Sequence, residues 1–471
     1  MKLRLAPAPT GSLSTRSFEK SRGCLRPDWE SVEAETVSRL REIIQFDTTN
    51  PPGNEQPLAR YLERALAGEG IETTLLEPAA NRAQIIGRIS GTGERRPVIL
   101  LAHMDVVGVE RARWTHDPFA GDIADGYLYG RGAIDDKGML AANLMVMLLT
   151  KRLLSKTAKN PSRDIVFIAT SDEEAGGEWG MGWLVSRHPE LLDAEFALNE
   201  GGRTRIIEGG RTYLAVQSAE KVSHVVTVTA HGTAGHAAIP LRDNAVFRLG
   251  RALDQLSRYS EPVMLTEITR QFFSRLADIW PSAIEKKAML DLVNGKGALS
   301  DSGAAILSLI PVFNAVLRNG ISPTVLHGGK QFNVIPDTAG AVLNVRTLPG
   351  QSIDAVVERM RGAVNVQGVT LEITQRGEEA PASEPTSAMF NAIADTAHEL
   401  DPKISVVPYL STGVTDSARL RRLGVEAYGI LPFPMVQADE ERMHGNDERV
   451  PLQSLHFGTR LIYGAIERLA R

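Results

Sequence analysis

Apolar positions along the chain follow two different patterns. From Trp29 to Ile44 they recur every three or four residues, which predicts an amphipathic helix, and a second helix is predicted at about 55–68. Three short unbroken apolar runs, at 98–102, 165–169 and 196–198, predict buried strands, and an apolar helical stretch lies between the first two runs. This alternation of strand and helix predicts an α/β fold with a mostly parallel central sheet covered by helices.

The pattern changes near residue 221. Residues 222–230 alternate like a half-exposed strand, and further elements follow: a helix at 244–259, a strand pair at 334–347 and a helix at 353–364. Such a mixture is typical of a separate α+β domain. We therefore expect a catalytic, metal-binding domain at 29–218 and 378–471, and an inserted lid or dimerisation domain at 219–377.

The composition is that of a folded protein of ordinary polarity. Of the 471 residues, 43% are apolar and 23% are charged, which argues against disorder. The net charge of −5 gives no indication of nucleic-acid binding. No uninterrupted apolar run reaches the roughly 18 residues of a membrane span. Cys24 is the only cysteine, so a metal ion would have to be held by His, Asp and Glu.

The first thirty residues are rich in Lys, Arg and Ser. No apolar stretch follows them, which argues against a secretory signal, although a transit peptide is an alternative. We expect residues 1–28 to be a disordered leader and the protein to be cytoplasmic.

Histidine and acidic residues stand directly after the predicted strands. His103 and Asp105 follow the first run two residues apart, so His103 could ligate a metal while Asp105 orients its ring. The acids Asp172, Glu173 and Glu174 follow the second run, and Glu200 follows the third. Neighbouring carboxylates repel one another unless a cation lies between them, which favours a metal site. A packed histidine and a solvated acidic turn are the alternatives.

Two further segments carry candidate ligands. Asp135 and Asp136 stand between glycines immediately before the apolar helix at 138–154, where an Asp could instead serve only as a helix N-cap. His444 is a lone histidine in a segment that predicts a loop, and taken alone it predicts no chemistry.

In order and spacing these segments resemble, across nearly the whole chain, one family. It is the aminoacylase and carboxypeptidase family of dinuclear zinc peptidases, which includes acetylornithine deacetylase, succinyl-diaminopimelate desuccinylase, glutamate carboxypeptidase and carboxypeptidase S. The matching pieces are Thr48–Gly53, His103–Asp105, Trp114 with Asp117–Phe119, Gly130–Gly132 with Asp135–Gly138, Asp172–Glu174 and Gly235–His236.

The resemblance implies two Zn²⁺ ions per subunit, with Co²⁺ or Mn²⁺ as possible substitutes. One ion would be held by His103 and Glu200, and the other by Glu174 and His444, with Asp135 bridging both. Ligand sets of His and carboxylate without Cys suit these metals. A pair of such ions polarises a scissile carbonyl and activates a water molecule.

The resemblance also implies catalytic roles for Glu173 and Asp105, with Glu173 as the general base. In the inserted domain, His236 would stabilise the oxyanion, often across a dimer interface.

Three further residues match positions that bind substrate in the family. Asn333 and Arg346 match positions that bind the substrate α-carboxylate, a task for which the planar guanidinium of Arg is suited. A surface strand arginine is the alternative for Arg346. Gly413 lies where the family has a glycine-rich substrate loop, of which only this glycine is present.

We therefore expect a homodimeric, metal-dependent amidohydrolase that releases a C-terminal amino acid from an N-acyl amino acid or short peptide. Within the family, Glu at position 200 tends to accompany deacylase and carboxypeptidase specificity. The length of 219–377 resembles that of carboxypeptidase S and the fatty-acyl amino acid hydrolases. One alternative is a zinc aminopeptidase or dipeptidase of similar fold. A non-catalytic dimeric binding protein is a more remote one, because all the ligands and Glu173 are present.

Overall fold

The structure, a computed structural model, describes residues 27–157 and 160–471. The predicted leader lies outside the described residues except for its last two positions. The helices are α1 (Trp29–Ile44), α2 (Gln56–Gly68), α3 (Lys137–Thr157), α4 (Met181–Arg187), α5 (Ala245–Arg258), α6 (Glu267–Ile279), α7 (Ala283–Asn294), α8 (Ala298–Leu307), α9 (Pro311–Leu317), α10 (Ile353–Ala363), α11 (Ala388–Leu400), α12 (Ser417–Arg422), α13 (Gln437–Glu440) and α14 (Leu452–Ala470).

The strands are β1 (Glu72–Ala79), β2 (Arg82–Ile89), β3 (Val98–His103), β4 (Ile123–Ala124), β5 (Tyr127–Tyr129), β6 (Ile165–Thr170), β7 (Phe196–Asn199), β8 (Arg203–Ile206), β9 (Thr212–Glu220), β10 (Val222–His231), β11 (Gly235–His236), β12 (Gly320–Gly328), β13 (Val334–Ile335), β14 (Thr338–Thr347), β15 (Val369–Gln375), β16 (Ser405–Ser411), β17 (Glu426–Gly429), β18 (Met435–Val436) and β19 (Arg449–Pro451).

One ten-stranded sheet forms the centre of the molecule. Its order is β1-β2-β6-β3-β7-β17-β9-β8-β18, with β16 paired to β9. The strands β6, β3, β7 and β17 run parallel to one another, whereas β1, β2 and the β8–β9 pair add antiparallel contacts. The predicted α/β fold with a mostly parallel sheet is confirmed. The three apolar runs are β3, β6 and β7, whose residues are all buried.

Helices cover both faces of this sheet, which explains why its inner strands are apolar throughout. Leu100 of β3 packs into the core formed with α1, α3, α11 and α14, and Leu101 packs into the core on the other face, with α4 and α12. Among the described helices, only α3 is long and apolar enough to cross a membrane, and 67% of its most apolar window is buried inside the protein. That burial is typical of a core helix.

A second, antiparallel sheet has the order β12-β14-β10-β15 and packs one face against α5 and α10. The predicted strand pair at 334–347 corresponds to β13 and β14, but these two strands do not pair with each other. β13 pairs with β11, and β14 lies between β10 and β12.

The helices α6–α9 belong to a different core. Phe272, Phe273 and Phe313 share a core with Tyr409 of β16 and with residues of β9. This part of the predicted inserted domain therefore packs against the central sheet.

Candidate active site

The site lies where the parallel strands of the central sheet end. His103 is the last residue of β3 and lies opposite Thr170, the last residue of β6. Glu200 directly follows β7. Since the carboxyl ends of parallel strands meet at one edge of the sheet, the acidic segments after all three strands converge there.

Asp135 occupies the middle of the site, just before α3. Its Oδ1 lies 2.9 Å from Nε2 of His103, and its Oδ2 lies 3.1 Å from Nε2 of His444. Nε2 of His444 also lies 3.1 Å from Oε1 of Glu174. One carboxylate thus faces two imidazoles, one through each oxygen, and the second imidazole reaches a further carboxylate.

The loop after β6 is held in place by Asp105, which is fully buried. Its Oδ1 accepts the backbone N–H of Glu173 at 3.1 Å, and its Oδ2 accepts that of Glu174 at 3.1 Å and Nδ2–H of Asn50 at 2.8 Å. Nδ1 of His103 lies 3.0 Å from the backbone carbonyl of Asp105 and 3.6 Å from its carboxylate. Asp105 therefore orders the acidic loop as well as the ring of His103.

The histidines and carboxylates of the site shift one another's pKa. Burial opposes the charging of His103, but the carboxylates of Asp105 and Asp135 outweigh it and raise its pKa well above the ordinary value. Hydrogen bonds to Asp135 and Glu174 raise the pKa of His444 to about 10. The pKa of Asp135 is lowered, because its bonds to both histidines outweigh its burial. The carboxylates of the site therefore favour positive charge nearby, which divalent cations can supply.

Glu173 and Glu200 lie in the same electrostatic field. Burial raises the pKa of both carboxyls well above the ordinary value, and negative neighbours that include Asp135 raise it further. Glu173 makes no side-chain hydrogen bond or ion pair with another described residue. Asp416 is one of the acids that raise its pKa.

The donor set fits divalent metal ions with a preference for His and carboxylate ligands. One donor atom each from His103, Asp135 and Glu174 lies within 4.8 Å of the others, close enough for one ion to contact all three. His444 adds a second imidazole within 3.1 Å of two of these acids. The structure thus brings four of the five predicted ligands into one cluster, with Glu200 as the electrostatic neighbour of Asp135.

Sequence reasoning missed the pair that holds two of these ligand loops together. Glu448 is fully buried and pairs with Nη1 of Arg131, while its Oε1 accepts the backbone N–H groups of Ile134 at 2.8 Å and Asp135 at 3.2 Å. Nη2 of Arg131 donates to the carbonyl of Gly445 at 2.9 Å. For Arg131 the sequence did offer a signal, because this residue stands between Gly130 and Gly132 in one of the matching segments. Glu448 gave none beyond its closeness to the lone histidine.

His236 is the last residue of β11, and Asn333 directly precedes β13, the strand that pairs with β11. The backbone N–H of Ala237 donates to the carbonyl of Asn333 at 3.0 Å. Both side chains are exposed, and His236 accepts the backbone N–H of Ala238 at its Nδ1. Neither side chain contacts a predicted metal ligand within the described parts of this one chain.

Arg346 is the penultimate residue of β14, where it lies between Ser223 of β10 and Gly320 of β12. Its Nε donates to Oδ1 of Asn344 at 2.9 Å, whereas its buried Nη1 has no hydrogen-bond partner among the described residues. Burial lowers its pKa, against the opposing effect of Glu220. The exposed Gly413 lies in the loop after β16 and donates its N–H to Oγ of Ser411 at 3.1 Å.

Comparison with known proteins shows the family to which the chain belongs. Residues 99–468 match the peptidase family M20/M25/M40. A Dictyostelium discoideum protein named carboxypeptidase S-like 2 is 29% identical over 76% of this chain and 69% of its own length. An N-fatty-acyl-amino acid synthase/hydrolase of Xenopus tropicalis is 27% identical over 94% of this chain and 88% of its own.

Solved structures show the same fold. An M20 family metallo-carboxypeptidase of Sulfolobus solfataricus superposes with a TM-score of 0.69 at 17% identity, covering 93% of this chain and 99% of its own. A dinuclear metal-binding M20 peptidase of Bacillus subtilis has a TM-score of 0.58 at 16% identity, covering 94% of this chain and 100% of its own. The predicted resemblance is confirmed: the chain belongs to peptidase family M20/M25/M40 and is a metal-dependent hydrolase of the metallopeptidase and amidohydrolase class.

Proposed function

We propose that this enzyme binds two Zn²⁺ ions and hydrolyses the amide bond that joins an acyl or peptidyl group to a C-terminal amino acid. The observation that carries the proposal is Asp135, whose two oxygens face His103 and His444 separately. A carboxylate placed in this way is suited to bridge two ions. His103 and Glu200 would complete the first ligand set, and Glu174 and His444 the second.

Glu173 is proposed as the general base. The bound ions would polarise the scissile carbonyl and lower the pKa of the attacking water. Glu173 takes a proton from that water and passes it to the departing amine. This double role suits a carboxyl whose burial raises its pKa above the ordinary value. Asp105 fixes its backbone through the N–H of Glu173, as described above.

The substrate α-carboxylate is proposed to bind Arg346. Its buried Nη1 is unpartnered within the described residues, and a buried guanidinium is most stable with an anion on its free N–H groups. A site for a C-terminal carboxylate also agrees with the relatives, whose names denote a carboxypeptidase-like protein and a hydrolase of N-fatty-acyl amino acids. We propose Asn333 and Gly413 as further contacts of the substrate.

The proposal is tested by metal analysis and hydrolysis assays on one preparation. We expect two equivalents of zinc and cleavage of N-acyl amino acids, with N-blocked dipeptides cleaved in preference to dipeptides with a free amine. Glu173→Gln should retain the metal and lower kcat by at least ~10²-fold, because only the proton transfer is lost. Glu178→Gln, an exposed acid of the same loop, is the matched control and should behave like the parent. Near-parental turnover by Glu173→Gln would remove Glu173 from the mechanism.

We also propose that two copies associate through the second sheet. β12 is its outer strand and is exposed from Ser322 onward, with Leu326 64% exposed. Phe247 of α5 and Phe332, just before β13, are also exposed apolar residues of the predicted inserted domain. An exposed apolar edge strand is a template for pairing with a second chain. In such a dimer, His236 of one subunit would act in the active site of the other. Leu326→Lys should shift the mass in light scattering from dimer to monomer, and a parent that is monomeric at all concentrations would refute the proposal.

A cytoplasmic location stays a prediction from the sequence.

A further inference from the structure

The loop that carries Glu173 and Glu174 has little regular structure of its own. It contains a single 3₁₀ turn, and its backbone is left-handed at Asp172 (φ 68°), Gly176 (φ 106°) and Gly177 (φ 70°). A residue such as Asp172 keeps this conformation only when its surroundings enforce it. The position of the loop therefore depends on bonds from side chains elsewhere.

Side chains from other segments provide those bonds at both ends of the loop. At the start, Asp105 accepts the N–H groups of Glu173 and Glu174. At the far end, Nη2 of Arg419 donates to the carbonyl of Gly176 at 2.6 Å, while its Nη1 lies 3.2 Å from Oδ1 of Asp416. The second anchor thus consists of a carboxylate and a guanidinium in series.

Asp416 is itself fixed with respect to the sheet. Its side chain is 2% exposed, and its Oδ2 accepts Oγ1–H of Thr170, the last residue of β6, at 3.1 Å. Without Arg419 this carboxylate would be a buried charge with one neutral hydrogen bond, which is unfavourable. The Arg419 guanidinium therefore bonds two acceptors at once, the Asp416 carboxylate and the Gly176 carbonyl, and these two bonds restrict its position.

The same segment continues directly from the loop that contains Gly413. Thr415 ends that loop, and its Oγ1 donates to Oε2 of Glu220 at 3.0 Å. One short stretch of chain therefore carries both the exposed loop beside the site and the anchor of the Glu173 loop.

We propose that Asp416 and Arg419 form a positioning pair that fixes the loop of Glu173 and Glu174 with respect to the 411–415 loop. The pair touches no reacting atom and acts through the carbonyl of Gly176. This inference rests on the proposed role of Glu173 as the base. A displacement of about 1 Å of such a group can lower turnover by up to ~10²-fold.

Arg419→Gln tests the pair, because Gln can satisfy only one of the two acceptors. We expect kcat to fall by about 10- to 100-fold with KM close to that of the parent. Tm should also fall, because the buried Asp416 carboxylate loses its charged partner. Arg419→Lys should recover part of kcat, since the ammonium retains the charge beside Asp416. Arg422→Gln is the matched control, because Arg422 lies on the same helix in an exposed pair with Glu378, and it should leave kcat within about twofold. A parental kcat in Arg419→Gln, or a fall in kcat/KM that comes from KM alone, would overturn the proposal.

Hydrogen–deuterium exchange tests the same pair without any substrate. Arg419→Gln should raise the exchange of a peptide spanning residues 172–180, whereas Arg422→Gln should leave it unchanged. Unchanged exchange in Arg419→Gln would overturn the proposal even if the parent cleaves N-acyl amino acids. Failure of the parent to cleave them would refute the proposed function, and the exchange result would still decide whether the pair holds the loop.

Discussion

Replacing Asp105 by Asn puts a donor where the structure needs acceptors. Three N–H donors point at this buried carboxylate: the backbone of Glu173 on Oδ1, and the backbone of Glu174 with the side chain of Asn50 on Oδ2. An Asn side chain has one oxygen, so its best orientation keeps the bonds from Glu174 and Asn50 and turns the NH₂ group toward the N–H of Glu173. That N–H is then left without a partner.

The magnitude follows from this count. One hydrogen bond to a charged group is lost, which costs about 1.5 to 3 kcal/mol. The two bonds that survive change from charge-assisted to neutral, which costs on the order of 1 kcal/mol each. We therefore expect Asp105→Asn to lower the free energy of unfolding of the metal-free protein by about 3.5 to 5 kcal/mol. Because the Glu173 loop is displaced, kcat of the zinc enzyme should fall by about 10- to 100-fold.

Urea unfolding of metal-stripped parent and variant, with kcat and zinc content of the reloaded proteins, measures both effects. Asp401→Asn is the matched control. Asp401 accepts the backbone N–H of Lys403 at 2.9 Å outside the site, and an Asn oxygen can accept the same bond. Its expected change in unfolding free energy is within ~0.5 kcal/mol. A change below about 1 kcal/mol in Asp105→Asn, with parental kcat, would refute the view that Asp105 orders the acidic loop.

Three further outcomes are expected. Asp135→Ala should abolish activity and lower the zinc content, because the two ions then lose the carboxylate that they would share, and two tightly held equivalents of zinc would contradict its bridging role. Arg346→Ala should lower kcat/KM for an N-acyl amino acid by a factor that corresponds to roughly 2 to 5 kcal/mol of transition-state stabilisation. The C-terminal amide should be little affected, whereas equal losses for both substrates would mean that the carboxylate binds elsewhere. In metal-stripped protein the pKa of His444 is raised from 6.5 to about 10, so its contribution to stability is full below pH 6.5 and is lost as the pH rises through about 10. Urea unfolding at pH 6 to 10.5 should therefore show the parent losing more stability than His444→Asn, and parallel profiles would refute this assignment.

The catalytic half could be predicted well because its signals are local. The apolar runs that became β3, β6 and β7 are buried on both faces of the sheet, so the sequence pattern alone distinguished them from half-exposed strands. The acids after these strands could be expected to meet, since parallel strands place their carboxyl ends at one edge. The helices α6–α9 were not predicted to pack on that sheet, because an apolar helix face does not specify which surface it covers.

What the sequence determined by itself is therefore the chemistry: a set of His and carboxylate ligands without cysteine, in the order and spacing of one enzyme family. What only the tertiary structure decided is which side chains hold that chemistry in place. His444 reaches Glu174 across 270 positions of sequence, and the bonds of Glu448 to Ile134 and Arg419 to Gly176 span 314 and 243. Contacts at such separations leave no local periodicity, because they are made by single side chains that meet only after the sheet and its helices have packed.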